Sequence, residues 1–203
     1  ELRSPLAALK VQTDVAQLSQ DDPQAREKAL AQLHAGIDRA SRLVDQLLTL
    51  SRLDSLDNLD DVEPITLADL LQSAVLDIWH PAQQAGIDIR LINHAPQVKR
   101  QGQPLLLSLL VRNLLDNAIR YSPRGSVVDV TLDARSFSVR DNGPGVDPEV
   151  LARIGERFYR PPGQNATGSG LGLSIVRRIA ALHGMRVSLS NAAEGGFEVK
   201  VSW

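Results

Sequence analysis

The chain has 203 residues, 43% hydrophobic and 23% charged, with 22 Lys and Arg against 24 Asp and Glu and no cysteine. Such a composition fits one or two globular domains and excludes collagen, wholesale disorder, a disulfide scaffold, thiol chemistry and thiolate metal sites. A formal net charge of -2 supplies no clustered cations to displace counterions from nucleic acid, and no apolar run approaches the roughly 20 residues needed to cross a bilayer.

Leu2, Leu6, Leu9, Thr13 and Ala16 recur in steps of four and three, which predicts a first helix with a coiled-coil-like seam. Asp22 and Pro23 suit the N-cap and first position of a second helix. That helix runs to about Leu53 and carries Leu30, Leu33, Ile37, Ala40, Val44 and Leu47. Two amphipathic helices do not bury their seams alone, so the expected arrangement is an antiparallel hairpin that dimerises into a four-helix bundle. The alternative is a hairpin packed on the chain's own second domain.

Asp54 to Pro64 is acidic and aperiodic and reads as a linker ending in a short extended piece. Beyond it, Leu67 to Ile78 has helical periodicity, Ile87, Ile89 and Leu91 alternate as a strand, and Pro104 opens an apolar helix through about Tyr121. Strands are expected around Val128 to Leu132 and from Phe137 into Asp141. A long Gly/Pro-rich stretch from Asn142 to Gly170 follows, interrupted by a short helix near Val150 to Ile154, and its length marks it as functional. A helix from about Leu171 to Leu182 and strands near Val187 to Leu189 and Phe197 to Val201 complete an α/β layer domain.

Four segments concentrate chemistry. Asn113, Asn117 and Arg120 share one helix face, where an amide oxygen of Asn117 suits Mg²⁺, although the amides can equally satisfy the helix. Asp141-Asn-Gly143-Pro-Gly145 ends a strand with a carboxylate able to accept from an exocyclic amine, or is an ordinary Asn-Gly turn. Arg157-Phe158-Tyr159-Arg160 sets an aromatic pair at the root of a loop, with core filling as the alternative for Phe158. Gly168-Ser-Gly170-Leu171-Gly172-Leu173 runs into a helix whose free N–H groups suit phosphate. A dinucleotide-binding turn needs a strand just before it, and residues 160–167 read as loop. The four His residues are dispersed without metal-ligand spacing, and His183 sits at a helix C-terminus, where a cation is favourable.

In this order and spacing the segments resemble the N box, first glycine box, F box and second glycine box of two-component sensor histidine kinases. The helical hairpin resembles the family's dimerisation and phosphotransfer domain. Glu1-Leu-Arg-Ser-Pro5 is similar to its H box, whose phosphoacceptor histidine stands immediately before the Glu.

The resemblance implies an α+β protein: residues 1–56 a hairpin lacking its phosphoacceptor histidine, 57–65 a linker, and 66–203 a Bergerat-type α/β sandwich that binds ATP and Mg²⁺. Asn117 would hold the metal, Asn113 and Arg120 would contact phosphates or position it, and Tyr121 would line the pocket. Asp141 would recognise the adenine amine, Gly143 and Gly145 would shape the pocket, and Phe158 and Tyr159 would flank it. Gly168, Gly170 and Gly172, with Leu171 and Leu173, would hinge a lid and contact phosphates. Glu1 would take or orient the acceptor's proton, and Ser4 would stand where many relatives use Thr to remove phosphate from the regulator. The implied partners are a second copy through the hairpin and a cognate response regulator, with no nucleic acid. The chain reads as an excised cytoplasmic piece of a bacterial inner-membrane protein, in contact with the membrane only through parts absent here. An ATPase of the gyrase, Hsp90 and MutL group is a competing reading, weakened because Asn113 stands where those enzymes carry a catalytic Glu. A non-catalytic dimerisation and docking module is another, opposed by the intact Asn117, Asp141 and glycines.

Overall fold

A computed structural model describes residues 3–18, 22–160, 168–192 and 195–203, with side chains from residue 7 onward. The chain divides into two compact units, Glu1–Ser51 and Arg52–Trp203.

The first unit holds α1 (Arg3–Leu18) and most of α2 (Pro23–Asp54). Asp22 caps α2 with Oδ1, which accepts from the N–H groups of Gln24 and Ala25 at 3.0 Å each, and Pro23 lacks a donor where none is needed. The seam differs in phase from the expected one. In α1 it runs through Leu9, Gln12 and Ala16, while Thr13 is exposed and turns its hydroxyl back to the Leu9 carbonyl at 2.9 Å. In α2 the inward positions are Ala29, Leu33, Gly36, Ala40, Leu43, Leu47 and Leu50. Gly36 belongs to this seam because a Cβ there would come within 2.7 Å of the Leu9 side chain. Leu30, Ile37 and Val44, grouped by periodicity with Leu33, Ala40 and Leu47, instead form a second stripe that is 39%, 45% and 40% exposed. A heptad spacing cannot separate two adjacent apolar stripes, which is why one seam was expected and two are found.

The second unit is built on a five-stranded sheet in the order β2-β4-β5-β7-β6, made of β2 (Asp88–Asn93), β4 (Val127–Asp133), β5 (Ser136–Asp141), β6 (Arg186–Asn191) and β7 (Phe197–Ser202). β2 and β4 run parallel, and the other neighbours are antiparallel. Alternation decides which face is covered: Val128, Val130 and Leu132 of β4 are each 0% exposed. Helices α3 (Leu67–Ala85), α4 (Pro104–Tyr121) and α6 (Gly172–Leu182) pack side by side and against the sheet. The opposite face carries polar ladders, Arg90 to Asp129 at 2.7 Å and His94 to Asp133 at 2.9 Å. The short helix α5 (Pro148–Arg153) is N-capped by Asp147, which accepts from the Glu149 N–H at 3.0 Å.

One element has no sequence precursor. β3 (Lys99–Gly102) pairs antiparallel with β1 (Glu63–Thr66) in a separate two-stranded sheet. Its residues, Lys-Arg-Gln-Gly, have no apolar alternation, so the pairing partner rather than the local pattern makes the strand.

The last turn of α2, Arg52–Asp54, belongs to this unit. Arg178 of α6 donates to the carbonyls of Leu53 at 3.0 Å and Leu56 at 2.6 Å, supplying partners that a helix end lacks. Arg157 donates to Asp54 at 2.8 Å alongside.

His183 departs from expectation. It is buried at the end of α6, donating from Nδ1 to the Ile179 carbonyl at 2.8 Å while Nε2 accepts from the Gln103 N–H, the N-cap of α4, at 3.1 Å. Accepting at Nε2 requires a neutral ring, and burial pushes its pKa below the ordinary value, against a smaller opposing effect of the Ile179 bond. The helix-end cation expected from the sequence is therefore a neutral clamp between α6 and α4. Because the unfolded ring takes a proton that the folded ring refuses, its stabilisation is complete above the unfolded pKa and is lost as pH falls through the depressed folded value. Thermal melts across that acid range are expected to fall more steeply for the unmodified chain than for His183→Gln.

Candidate functional site

The site assembles around the C-terminal half of α4. Asn113 is 8% exposed, and its Nδ2 donates to the Leu109 carbonyl at 2.8 Å. Its Oδ1 and the Asn117 amide both face the start of α6, since a Cβ at Gly172 would lie 3.3 Å from each. Farther along α4, a Cβ at Gly168 would meet the Tyr121 hydroxyl at 3.0 Å and Arg120 at 3.4 Å. The two expected segments thus meet: the amides and Arg120 on one side, the N-terminal turn of α6 and its uncapped N–H groups on the other.

Phe158 closes the approach to α6. Its N–H donates to the Gly170 carbonyl at 3.1 Å, and both residues have left-handed backbone, φ 64° at Phe158 and 72° at Gly170. A side chain at 170 would come within 2.7 Å of the Phe158 carbonyl carbon, so only glycine fits. Tyr159 stacks under Arg153, whose guanidinium carbon is 4.2 Å from the ring centroid. Leu171 is 0% exposed and its side chain is committed to the core, leaving its backbone for any ligand contact, while Leu173 is half-buried. Ser169 Oγ accepts from the Leu171 N–H at 3.1 Å, and Ser174 returns a bond to the Leu171 carbonyl at 2.8 Å.

Asp141 ends β5 and is 7% exposed. Its Oδ1 accepts from the N–H groups of Gly143 at 2.9 Å and Phe197 at 3.2 Å. Oδ2 takes no hydrogen bond among the described residues, so one oxygen is fixed and the other is left for an incoming donor. A Cβ at Gly143 would lie 3.6 Å from Pro123, two residues past α4, which brings the first glycine segment to the end of the helix. Glu1, the side chain of Ser4 and residues 161–167, where the expected lid would fall, lie outside the described residues.

Two residues of the site were not foreseen. Asn191, the last residue of β6, exchanges two hydrogen bonds with the backbone of Val146, at 2.8 and 2.6 Å. Gly196, with φ 97°, lies so close to the Asp141 carbonyl that any Cβ would overlap it. The adjacent pair Gly195-Gly196 before a strand was the available signal for a tight approach. Among the described residues no group of three or more His, Asp or Glu side chains is arranged to hold a metal ion. No helix there is long and apolar enough to cross a membrane.

Comparison with known families agrees with this geometry. Residues 102–203 match the model of the histidine kinase-, DNA gyrase B-, and HSP90-like ATPases, and residues 1–56 match the His kinase A (phospho-acceptor) domain. The chain belongs to the two-component sensor histidine kinases, and its second unit is a Bergerat fold. It is 80% identical to Sensor protein QseC of Salmonella typhimurium (strain LT2) over 203 residues, which is 100% of this chain and 45% of that protein. The chain therefore spans less than half the length of that relative. Among solved structures, the cytoplasmic segment of histidine kinase QseC is 64% identical with a TM-score of 0.61, over 82% of this chain and 93% of that one. Full-length ShkA in complex with AMPPNP is 26% identical with a TM-score of 0.73, over 98% of this chain and 44% of that one.

Proposed function

We propose that this chain binds Mg-ATP in the second unit and transfers the γ-phosphoryl group to a histidine on the dimerisation hairpin, from which it passes to a response-regulator aspartate. The observation that carries the reading is the division of labour at Asp141. One carboxylate oxygen is held by two backbone donors, and the other is free to accept the exocyclic amine of adenine. The convergence of Asn113 and Asn117 on the start of α6, and of Arg120 on Gly168 just before it, supports a polyphosphate beside them. The neighbour ShkA was solved in complex with AMPPNP, an ATP analogue, which supports nucleotide binding as the reading for this chain.

In-line phosphoryl transfer needs positioning and charge neutralisation more than covalent help. Mg²⁺, when bound, would supply the neutralising charge, and the Asn117 amide oxygen is the hard donor suited to it. Asn113 spends Nδ2 on α4 itself, so its Oδ1 is what it offers to the metal's water shell or to a donor. Arg120 and the free N–H groups at the start of α6 hold phosphate oxygens, and Tyr121 walls the pocket. Gly143 and Gly145 let the first glycine segment lie flat beside the base, while Phe158, Tyr159, Gly168, Gly170, Gly172 and Leu173 set the root of the lid. Glu1 orients the acceptor histidine's proton, and Ser4 keeps a hydroxyl for phosphatase action on the regulator.

Residues 1–56 form the dimerisation and phosphotransfer hairpin, 57–65 the linker and 66–203 the catalytic domain. The exposed stripe of Leu30, Ile37, Val44 and Leu48 supports dimerisation into a four-helix bundle. The parent protein sits in the bacterial inner membrane with this portion in the cytoplasm. The ATPase alternative is disfavoured because an amide cannot act as general base for water.

Calorimetric titration tests the nucleotide step. In the presence of Mg²⁺, Asn117→Ala is expected to weaken ATP binding about tenfold, while Mg²⁺-free binding changes little. Equal loss in both conditions would remove Asn117 from the metal. For transfer, a chain in which a histidine immediately precedes Glu1 is expected to take acid-labile label from γ-labelled ATP, and substitution of that histidine is expected to remove the label. Label that survives the substitution would redirect the acceptor assignment.

A further inference from the structure

The turn between β6 and β7 is tied to the first glycine segment at two points. Asn191 presents its carboxamide edge-on to Val146, with Oδ1 accepting from the Val146 N–H at 2.8 Å and Nδ2 donating to the Val146 carbonyl at 2.6 Å. This pair reproduces the two-bond exchange of neighbouring antiparallel residues, with a side chain standing in for a strand. Six residues later, the Phe197 N–H donates to Asp141 Oδ1 at 3.2 Å. Between these points the turn closes on itself, with the Ala192 N–H on the Gly196 carbonyl and the Gly195 N–H on the Ala192 carbonyl, both at 3.0 Å.

Gly145 completes the arrangement. With φ 76°, it passes so close to Asn191 that a Cβ would lie 3.0 Å from Oδ1 and 3.4 Å from the Gly196 carbonyl oxygen. Residues 143–146 otherwise have no strand ladder to fix them, and α5 begins only at Pro148. The start of the loop is held by Asp141, which accepts from the Gly143 N–H, and by Asn142, whose Oδ1 accepts from the Val127 N–H at 2.9 Å; Gly145 and Val146 are held from the side by the Asn191 amide.

We propose that Asn191 is a positioning residue for nucleobase recognition: it fixes the backbone of Gly145 and Val146 against the β6–β7 turn, and so sets the wall beside Asp141 that receives adenine. This rests on the nucleotide reading above. Asn191 itself touches neither Asp141 nor the α4 amides in the described contacts, so its effect is confined to the base and does not reach the phosphates. Removing a two-bond clamp of this kind is worth about tenfold in affinity when it has to be rebuilt by the ligand.

The test compares the unmodified chain with Asn191→Ala, which loses both bonds, and Asn191→Asp, which keeps the size and an acceptor but loses the donor. Titration with ATP, GTP and inorganic tripolyphosphate is paired with hydrogen exchange at the Val146 amide in the nucleotide-free protein. The proposal expects Asn191→Ala to exchange Val146 faster, to lose about tenfold in ATP affinity, to narrow the preference for ATP over GTP, and to bind tripolyphosphate unchanged. Asn191→Asp is expected to fall between, and it decides the matter if the alanine variant does not fold. ATP affinity within twofold of the unmodified chain, or an affinity loss with Val146 exchange unchanged, overturns the proposal. Failure of the unmodified chain to bind ATP overturns the nucleotide reading and this role with it, whereas the exchange result still reports separately whether the clamp holds the loop.

Discussion

Asp141→Asn is expected to weaken ATP binding by at least about 100-fold in a chain that remains folded. The size of the effect follows from the two oxygens having different duties. Oδ1 accepts from Gly143 and Phe197, and Oδ2 is the only atom of the side chain left for the base amine. An amide has one oxygen to share between these duties. If it faces the two backbone N–H groups, its NH2 confronts the adenine NH2, donor against donor. If it flips, two buried backbone donors lose their acceptor and the loop after β5 is released. Either orientation loses a charge-assisted bond and leaves a donor without a partner, and the two losses add. Calorimetry with ATP, alongside a thermal melt to establish folding, checks the outcome. Retention of near-normal ATP affinity would move the base elsewhere, and Asp141 would revert to a structural role in the turn.

How much of this was readable beforehand differs by element. Helices α3, α4 and α6 and all five strands of the main sheet announce themselves by period, because each turns one face toward a packed layer that is continuous along its length. β3 does not, since Lys99 to Gly102 becomes a strand only because Glu63 to Thr66 lies beside it. In the hairpin the period was visible and the phase was not: Thr13 and Gln12 differ by one residue, and only the partner helix decides which of them faces inward. The expected site residues fared in a similar way. Asn113, Asn117, Asp141 and the glycines stand out as residue types with few reasons to be where they are. Asn191 does not, because a single Asn ending a strand is common and its partner Val146 is 45 residues away. His183 was placed correctly at a helix end, yet the dipole argument that made it a cation was outweighed by burial and by Gln103, which needs an acceptor. Local rules therefore failed where a distant backbone group set the chemistry.

The same principle governs the largest expected loss of stability, at Gly196. Two neighbouring glycines in the β6–β7 turn have nearly the same positive φ, 90° at Gly195 and 97° at Gly196, so the strain of a positive φ alone predicts similar penalties for an added methyl, of about 1 kcal/mol. Their surroundings differ. At Gly195 the nearest atom to a new Cβ is the Gly143 carbonyl oxygen at 3.7 Å, an ordinary contact. At Gly196 the Cβ would overlap the carbonyl oxygen of Asp141, a backbone atom at the end of β5 that cannot rotate away as a side chain can. To admit it, β7 must part from the end of β5, which breaks the Phe197 bond to Asp141 and the turn that carries Asn191. Gly196→Ala is accordingly expected to cost at least about 3 kcal/mol, lowering Tm by about 10 °C, while Gly195→Ala costs only about 3 °C. Melts of the two variants side by side check this, and equal shifts would show that conformation and not contact sets the penalty. Because the displaced atoms belong to Asp141 and Phe197, whatever fraction of Gly196→Ala folds should also bind ATP poorly, whereas Gly195→Ala should bind it nearly as well as the unmodified chain. The turn that looks least chemical in the sequence thereby controls both the sheet edge and the carboxylate proposed to read the base.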